Sequence, residues 1–406
     1  MFDSSVYGNA HYRTVIRRIS CVAQFSRLFY RAEEEEDMSE KKGILERLDA
    51  GEVIIGDGGM TYCLEKRGYV KAGDWTPECT VEHPEAVLQL HREFLRAGAD
   101  VIQAFTFSMQ DEPIEIDGKV MSWDDVNDAA CKLANEVAKE GQYALSAGSL
   151  CETGQLFRSG KVPKEVIQEK FRKQVNVFLK NDVDLLIAEY ISHVGEAELM
   201  VEVMKASGKP TAVTMAISRH GDRHGISPSE CAVRLARAGA DIIGVNCRFD
   251  PKESLETMQV MQDALKKEGI RMHFMVQPVG YWTPDADAQG FCGLPECPFA
   301  LEPRALTRWD CHKYARKAYD MGIRYIGGCC GFEPYHIRAL AEELAQERGR
   351  LPEGSDKHDL AAYTNHAEPH MSLRNNRAYW ENLVPCTGRP DSKPFSQTVG
   401  SWKSVS

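Results

Sequence analysis

Eight short apolar runs, each followed by a stretch of helical periodicity, constrain this chain more than any other feature. The runs span 53–59, 101–107, 143–150, 185–190, 211–217, 242–247, 273–279 and 325–330. Between them lie segments such as 84–97 and 230–238, where apolar residues recur every three or four positions. A strand-helix alternation repeated eight times predicts an α/β fold, a single (β/α)8 TIM-type barrel. Its joints are asymmetric. Arg96-Ala-Gly-Ala-Asp100 and Arg237-Ala-Gly-Ala-Asp241 put a glycine where a helix ends and enter the next strand at once. The strand-to-helix joints 108–123, 151–162 and 281–306 are long, and they read as binding loops without secondary structure of their own. All lie at the strands' carboxyl ends, the face on which such barrels carry their sites.

The barrel should occupy 43–350. Residues 1–42 form an extension: Arg13, Arg17, Arg18, Arg27 and Arg31 precede the acidic run 33–37. An arginine-rich, acid-poor start reads either as a mitochondrial transit segment or as upstream sequence before a start at Met38. Residues 351–406 are polar and irregular, an arm packing on the barrel or on a second subunit rather than a second domain. With 49 Lys plus Arg against 60 Asp plus Glu, the chain lacks the broad cationic surface that nucleic acid requires. No apolar run approaches the roughly 18–20 residues of a bilayer span. Thirteen cysteines, an odd number, point to reduced thiols and a cytoplasmic setting.

Gly327-Gly-Cys-Cys-Gly331 at the tip of the eighth run, with Cys247 at the tip of the sixth, carries the sharpest chemical signal. Neighbours on a regular strand face opposite ways, so Cys329 and Cys330 can share an ion only where the strand gives way to a turn, which the flanking glycines permit. Three thiolates with one open position describe a catalytic rather than a structural Zn2+ site. The competing reading makes them small buried fillers of the barrel's top layer. Cys292 and Cys297 have no partner pair and read as ordinary loop residues.

Asp57 and Glu189 end apolar runs, where a carboxylate either accepts backbone hydrogen bonds or meets a ligand's positive charge. Gly58 and Gly59 leave bare amides that a substrate carboxylate could approach. Acids facing amides suit an amino acid. Trp75 and Tyr190 are the aromatic candidates for a cationic methyl donor, each equally readable as core.

The motifs Ile55-Gly-Asp-Gly-Gly59, Leu186-Ile-Ala-Glu-Tyr190, Gly244-Val-Asn-Cys247 and the run from Arg324 through Cys329 and Cys330 to Arg338 resemble the homocysteine S-methyltransferase family. The likeness covers about 42–392 and is greatest to the branches that use betaine or S-methylmethionine. It implies zinc on Cys247, Cys329 and Cys330, the homocysteine amino group on Asp57 and Glu189, its carboxylate on backbone near Gly58, and the donor on Trp75 and Tyr190. It also implies a homo-oligomer, dimer or tetramer. The expected reaction is in-line attack of the homocysteine thiolate on an onium methyl group, giving methionine. Ser108 stands where betaine users carry tyrosine, which leans towards S-methylmethionine without excluding betaine. The arm stops earlier than in betaine users, which puts their tetramer in question. The alternative is a non-catalytic zinc- or thiol-binding barrel that has lost its donor pocket; a folate-fed module has no supporting domain here.

Overall fold

The computed structural model describes residues 41–70, 77–106, 114–116, 118–298 and 300–356. Trp75, Ser108, nearly all of the N-terminal extension and the arm from 357 onward lie outside them.

Eight strands run parallel in one sheet: β1 (Ile54–Ile55), β2 (Val101–Gln103), β5 (Leu145–Cys151), β6 (Leu185–Ile191), β7 (Thr211–Met215), β8 (Ile242–Asn246), β9 (His273–Gln277) and β10 (Tyr325–Ile326). Their order, β1-β10-β9-β8-β7-β6-β5-β2, brings the first two strands to the two free edges. Each strand matches one of the eight apolar runs. The helices Pro84–Arg96 and Pro228–Ala238 fall where the periodicity put them, and Gly98 and Gly239 follow with φ of +100°.

Strand alternation sorts the core into two shells. Ile54, Val101, Leu145, Ala147, Leu185, Ile187, Ala212, Ile242, Met275 and Tyr325 fill the lumen with the helix Ile44–Asp49, through Ile44 and Leu48. Residues of opposite parity, such as Ile55, Ile102, Leu186, Val213, Ile243 and Val276, pack outward among the helices. A strand buried on both faces reads as a continuous apolar run, which is why these eight were legible.

No ladder joins β1 to β2 among the described residues; the seam is stapled instead. The Asp100 amide donates to the Ile55 carbonyl at 2.6 Å, the Ile55 amide to Asp100 Oδ2 at 2.8 Å, and the Gln103 amide to Asp57 Oδ2 at 2.9 Å.

The 108–123 segment departs from expectation. It carries an antiparallel hairpin, β3 (Ile114–Ile116) with β4 (Lys119–Met121), paired Ile114 to Met121 and Ile116 to Lys119. Asp117-Gly118 is a two-residue hairpin signal, and Gly118 has φ +74°. The loop after β9 likewise has structure, with 3-10 turns at Gly290–Gly293 and Glu302–Arg304. No helix among the described residues is long and apolar enough to cross a membrane.

Asp100 also anchors the opposite end of the barrel from the thiols. Its carboxylate, 2% exposed, meets Arg348 Nη2 at 3.1 Å, Arg47 Nη2 at 3.4 Å and Arg350. Burial alone would raise this carboxyl, but Arg348, Arg350 and Arg47 bring it below the ordinary range. Such a group stabilises the fold above the unfolded-state value near ~4, and the contribution is lost as pH falls through the lower folded value. Asp100→Ala, which leaves arginines facing one another in the interior, should cost about 3–5 kcal/mol. A urea midpoint within error of wild type would contradict the assignment.

Candidate metal centre

Above the apolar lumen sits a polar layer built by the same two-residue period. Gln103, Ser149, Glu189 and Gln277 each lie two residues beyond a lumen-facing position of β2, β5, β6 and β9, and Asn246 lies four beyond Ile242 of β8. Asn246 joins them. Its Oδ1 accepts from the Tyr190 amide at 2.9 Å, and its Nδ2 donates to Glu189 Oε2 at 3.2 Å and faces Cys329 Sγ at 4.0 Å. Glu189 Oε1 accepts from Ser149 Oγ at 2.5 Å and from Gln103 Nε2.

At this layer the strands lose regularity. β6 shifts register between Ala188 and Ile191, with Tyr190 at φ +60°. Cys247 and Arg248 follow β8 at φ +56° and +55°. Left-handed backbone at non-glycine residues is costly and concentrates where a chain must aim a side chain. Here it turns Cys247 towards the glycine-bracketed pair that follows β10. The Sγ atoms of Cys247, Cys329 and Cys330 lie within 4.8 Å of one another, Cys247 and Cys330 at 3.6 Å. Four-coordinate zinc with Zn–S near 2.3 Å holds its sulfurs roughly 3.8 Å apart, so the donor set fits.

Electrostatics point the same way. Burial would raise the Cys247 thiol, but hydrogen bonds from Cys329 and Cys330 bring it well below its usual value, and those two are pushed well above theirs. The three thiols are thus electrostatically linked, each shifting its neighbours. By contrast, burial pushes Cys63, Cys131 and Cys231 up to about 12, as befits ordinary core thiols.

A cleft of about 60 Å³ opens beside the thiols, lined among others by Asp57, Gly58, Gln103, Glu189, Cys329 and Cys330. Neither Asp57 nor Glu189 forms an ion pair with a described residue. Burial pushes Asp57 up to about 8, with its Gln103 amide bond opposing and Glu189 adding. It pushes Glu189 up to about 7, against the Ser149 hydrogen bond. In both, burial favours the neutral form, and a nearby positive charge would oppose it.

The structure brings five expected residues to one place: Asp57, Glu189, Cys247, Cys329 and Cys330. Gly58 is half-buried on the cleft wall. The Gly59 amide, expected to be bare, donates to the Phe332 carbonyl at 2.9 Å. Glycine is required there for another reason: a Cβ on Gly59 would stand 2.7 Å from the Cys329 carbonyl oxygen and 3.0 Å from Cys330 Cα. Tyr190 lies on the thiols' apolar surround with Tyr62, Tyr281 and Phe291, whose ring centroids lie 6.1–6.4 Å apart. Cys297, read as an ordinary loop residue, packs into that surround too. Sequence reasoning passed over Gln103, Ser149 and Gln277, although counting by two from the lumen residues reaches each of them.

A parallel barrel that gathers three thiols and two buried acids beside a cleft at its carboxyl-end mouth has the layout of an enzyme site. Comparison with known proteins narrows the class. A family model described as Homocysteine S-methyltransferase matches residues 54–344. Betaine–homocysteine S-methyltransferase 1 of Danio rerio is 57% identical over 366 residues, 89% of this chain and 90% of the relative. S-methylmethionine–homocysteine S-methyltransferase of Pongo abelii is also 57% identical, over 352 residues, 86% of this chain and 95% of the relative. Among solved structures, the metallated form of the homocysteine methyltransferase MmuM from Escherichia coli superposes with a TM-score of 0.55 at 19% identity, over 72% of this chain and 96% of that one, a likeness of fold. The chain belongs to the homocysteine S-methyltransferase family.

Asn246→Ala removes the acceptor for the Tyr190 amide and a donor to Glu189 at once. It should lower unfolding free energy by about 1–3 kcal/mol. Asn246→Asp, which sets a second carboxylate against Glu189, should cost at least as much. Urea denaturation of both variants checks the assignment, and a neutral Asn246→Ala would remove Asn246 as the link between β6 and β8.

Proposed function

We propose that the protein transfers a methyl group from betaine or S-methylmethionine to homocysteine, giving methionine, with Zn2+ on Cys247, Cys329 and Cys330. The observation that carries this reading is the sharing of one cleft by a three-thiol centre and two buried acids without cationic partners. That pairing matches a ligand with a thiol at one end and an ammonium group at the other.

Each end then has a physical role. The ammonium group replaces the protons on Asp57 and Glu189, and both acids become ionised in its presence. Gln103, Ser149 and Asn246 hold the Glu189 carboxylate in place with hydrogen bonds that exist before the ligand enters. The ligand carboxylate approaches backbone near Gly58. Bound zinc supplies the positive charge that keeps a thiol ionised at neutral pH. Tyr62, Tyr281 and Phe291 keep water from the sulfur, while Tyr190, with Trp75 in the family pattern, offers a ring face to the onium group.

The transfer balances simply. A sulfur lone pair forms the new S–C bond as the onium C–N or C–S bond breaks, and its electron pair leaves with a neutral amine or sulfide. No proton moves at carbon. Two opposite charges are cancelled, so a dry site favours the step. Relatives that use either donor are equally similar to this chain, and both donors stay within the proposal. We further assign the 43–350 region as the catalytic unit, the 351–406 arm as a dimerisation element, and the cytoplasm as the setting.

Cys330→Ala should remove zinc and methionine formation together, read by metal analysis and by product mass with each donor in parallel. Retained activity would count against the three-sulfur centre, and wild-type protein inert with both donors would refute the reading. Glu189→Gln should keep its zinc yet raise the homocysteine KM by about 10-fold to 100-fold, the worth of a charged hydrogen bond. An unchanged KM would remove Glu189 from ammonium binding.

A further inference from the structure

A second cleft, of about 490 Å³, opens on the same rim between the loop after β7 and the loop after β9. Its charge is one-sided. Asp222, the acid on its wall, is committed to three backbone amides, those of Val194 at 3.0 Å, His224 at 2.8 Å and Ile226 at 2.9 Å. Arg223 and Arg248 also line it, and neither forms an ion pair among the described residues. Arg223 is exposed at the rim. Arg248 is 7% exposed, and its Nε–H is buried without a hydrogen-bond partner. The Arg248 side chain meets Tyr190 and the Cys247 side but no carboxylate among the described residues, and its fixed fork of donors matches one.

The backbone ties this cleft to the thiol centre. Cys247 and Arg248 are consecutive and both left-handed, so one turn presents a thiol to the trio and a guanidinium to the second cleft. Glu189 and Tyr190 make a similar pair across the rim: the acid lines the first cleft, and the Tyr190 ring lies under the Arg248 guanidinium at 5.0 Å. An incoming onium group that uses the Tyr190 ring therefore meets a cation already there. A bare cation is repelled, whereas a zwitterion brings its own anion to neutralise Arg248.

We propose that Arg248 binds the carboxylate of the methyl donor, so that the second cleft selects zwitterionic onium donors over bare onium cations. The inference rests on the proposed methyl transfer and adds what reads the donor's far end. Betaine and S-methylmethionine share the carboxylate, so this recognition serves either one. Arg223 adds positive potential at the entrance.

The test compares kcat/KM for betaine, S-methylmethionine and trimethylsulfonium, an onium methyl donor without a carboxylate, in zinc-loaded wild type, Arg248→Gln and Arg248→Lys. Wild type should prefer its carboxylate-bearing donor, and Arg248→Gln should shrink that preference by about 10-fold to 100-fold, chiefly through donor KM. Arg248→Lys, which keeps the charge and loses the planar fork, should fall between the two. Zinc content measured on each variant separates loss of recognition from loss of the metal site. If Arg248→Gln loses its zinc, the preference is read from Arg248→Lys, where a wild-type value overturns the inference. Turnover with an unchanged preference in Arg248→Gln overturns the role of Arg248 and leaves the methyl transfer standing. Wild-type protein inert with every donor overturns the methyl transfer itself, and the inference with it.

Discussion

Three sulfur atoms crowded into a buried space cannot all carry charge unless a cation joins them, and the rest of the site is arranged around that constraint. Lone thiols elsewhere in the core are simply held neutral by burial. Cys247, Cys329 and Cys330 instead pass hydrogen bonds among themselves, which lower the Cys247 thiol and raise the other two. Holding them together takes left-handed backbone at Cys247 and a glycine at position 59, where any side chain would strike the loop that carries the other two. A fold that accepts such backbone costs at a barrel mouth has put them where loops, not the packed lumen, absorb the irregularity.

The polar layer below the thiols converts that centre into a shaped receptor. Glu189 is braced from three directions, by side chains of β2, β5 and β8, and Asn246 spans from β8 to β6 while touching the sulfur layer. None of these donors neutralises the acid. They fix the direction of a carboxyl group that faces the cleft, so its orientation is set by the barrel itself. The acids and the thiols are therefore two halves of a single recognition problem.

Much of this was legible before any coordinates, for physical reasons that can be named. Strands buried on both faces must be apolar throughout, so eight runs stood out; their ends did not, because Gly327 and Gly328 extend an apolar pattern beyond the point at which pairing stops. The hairpin at 114–121 was hidden by its short strands, although Asp117-Gly118 marked the turn. Cysteines bracketed by glycines announced the metal centre. Gln103 and Gln277 looked like ordinary strand ends, and only the parity of the lumen residues places them in the top layer. Nothing in the spacing around Cys247 announced Arg248, because its direction depends on two successive left-handed residues.

The seam between β1 and β2 gives the barrel a clasp where other neighbours have a zipper. One jaw of that clasp is the Asp57 carboxylate, whose Oδ2 holds the Gln103 amide while the residue also forms the cleft wall. The same side chain thus serves hoop and hollow, so that a change at Asp57 falls on the closure of the cylinder and on the shape of its mouth together.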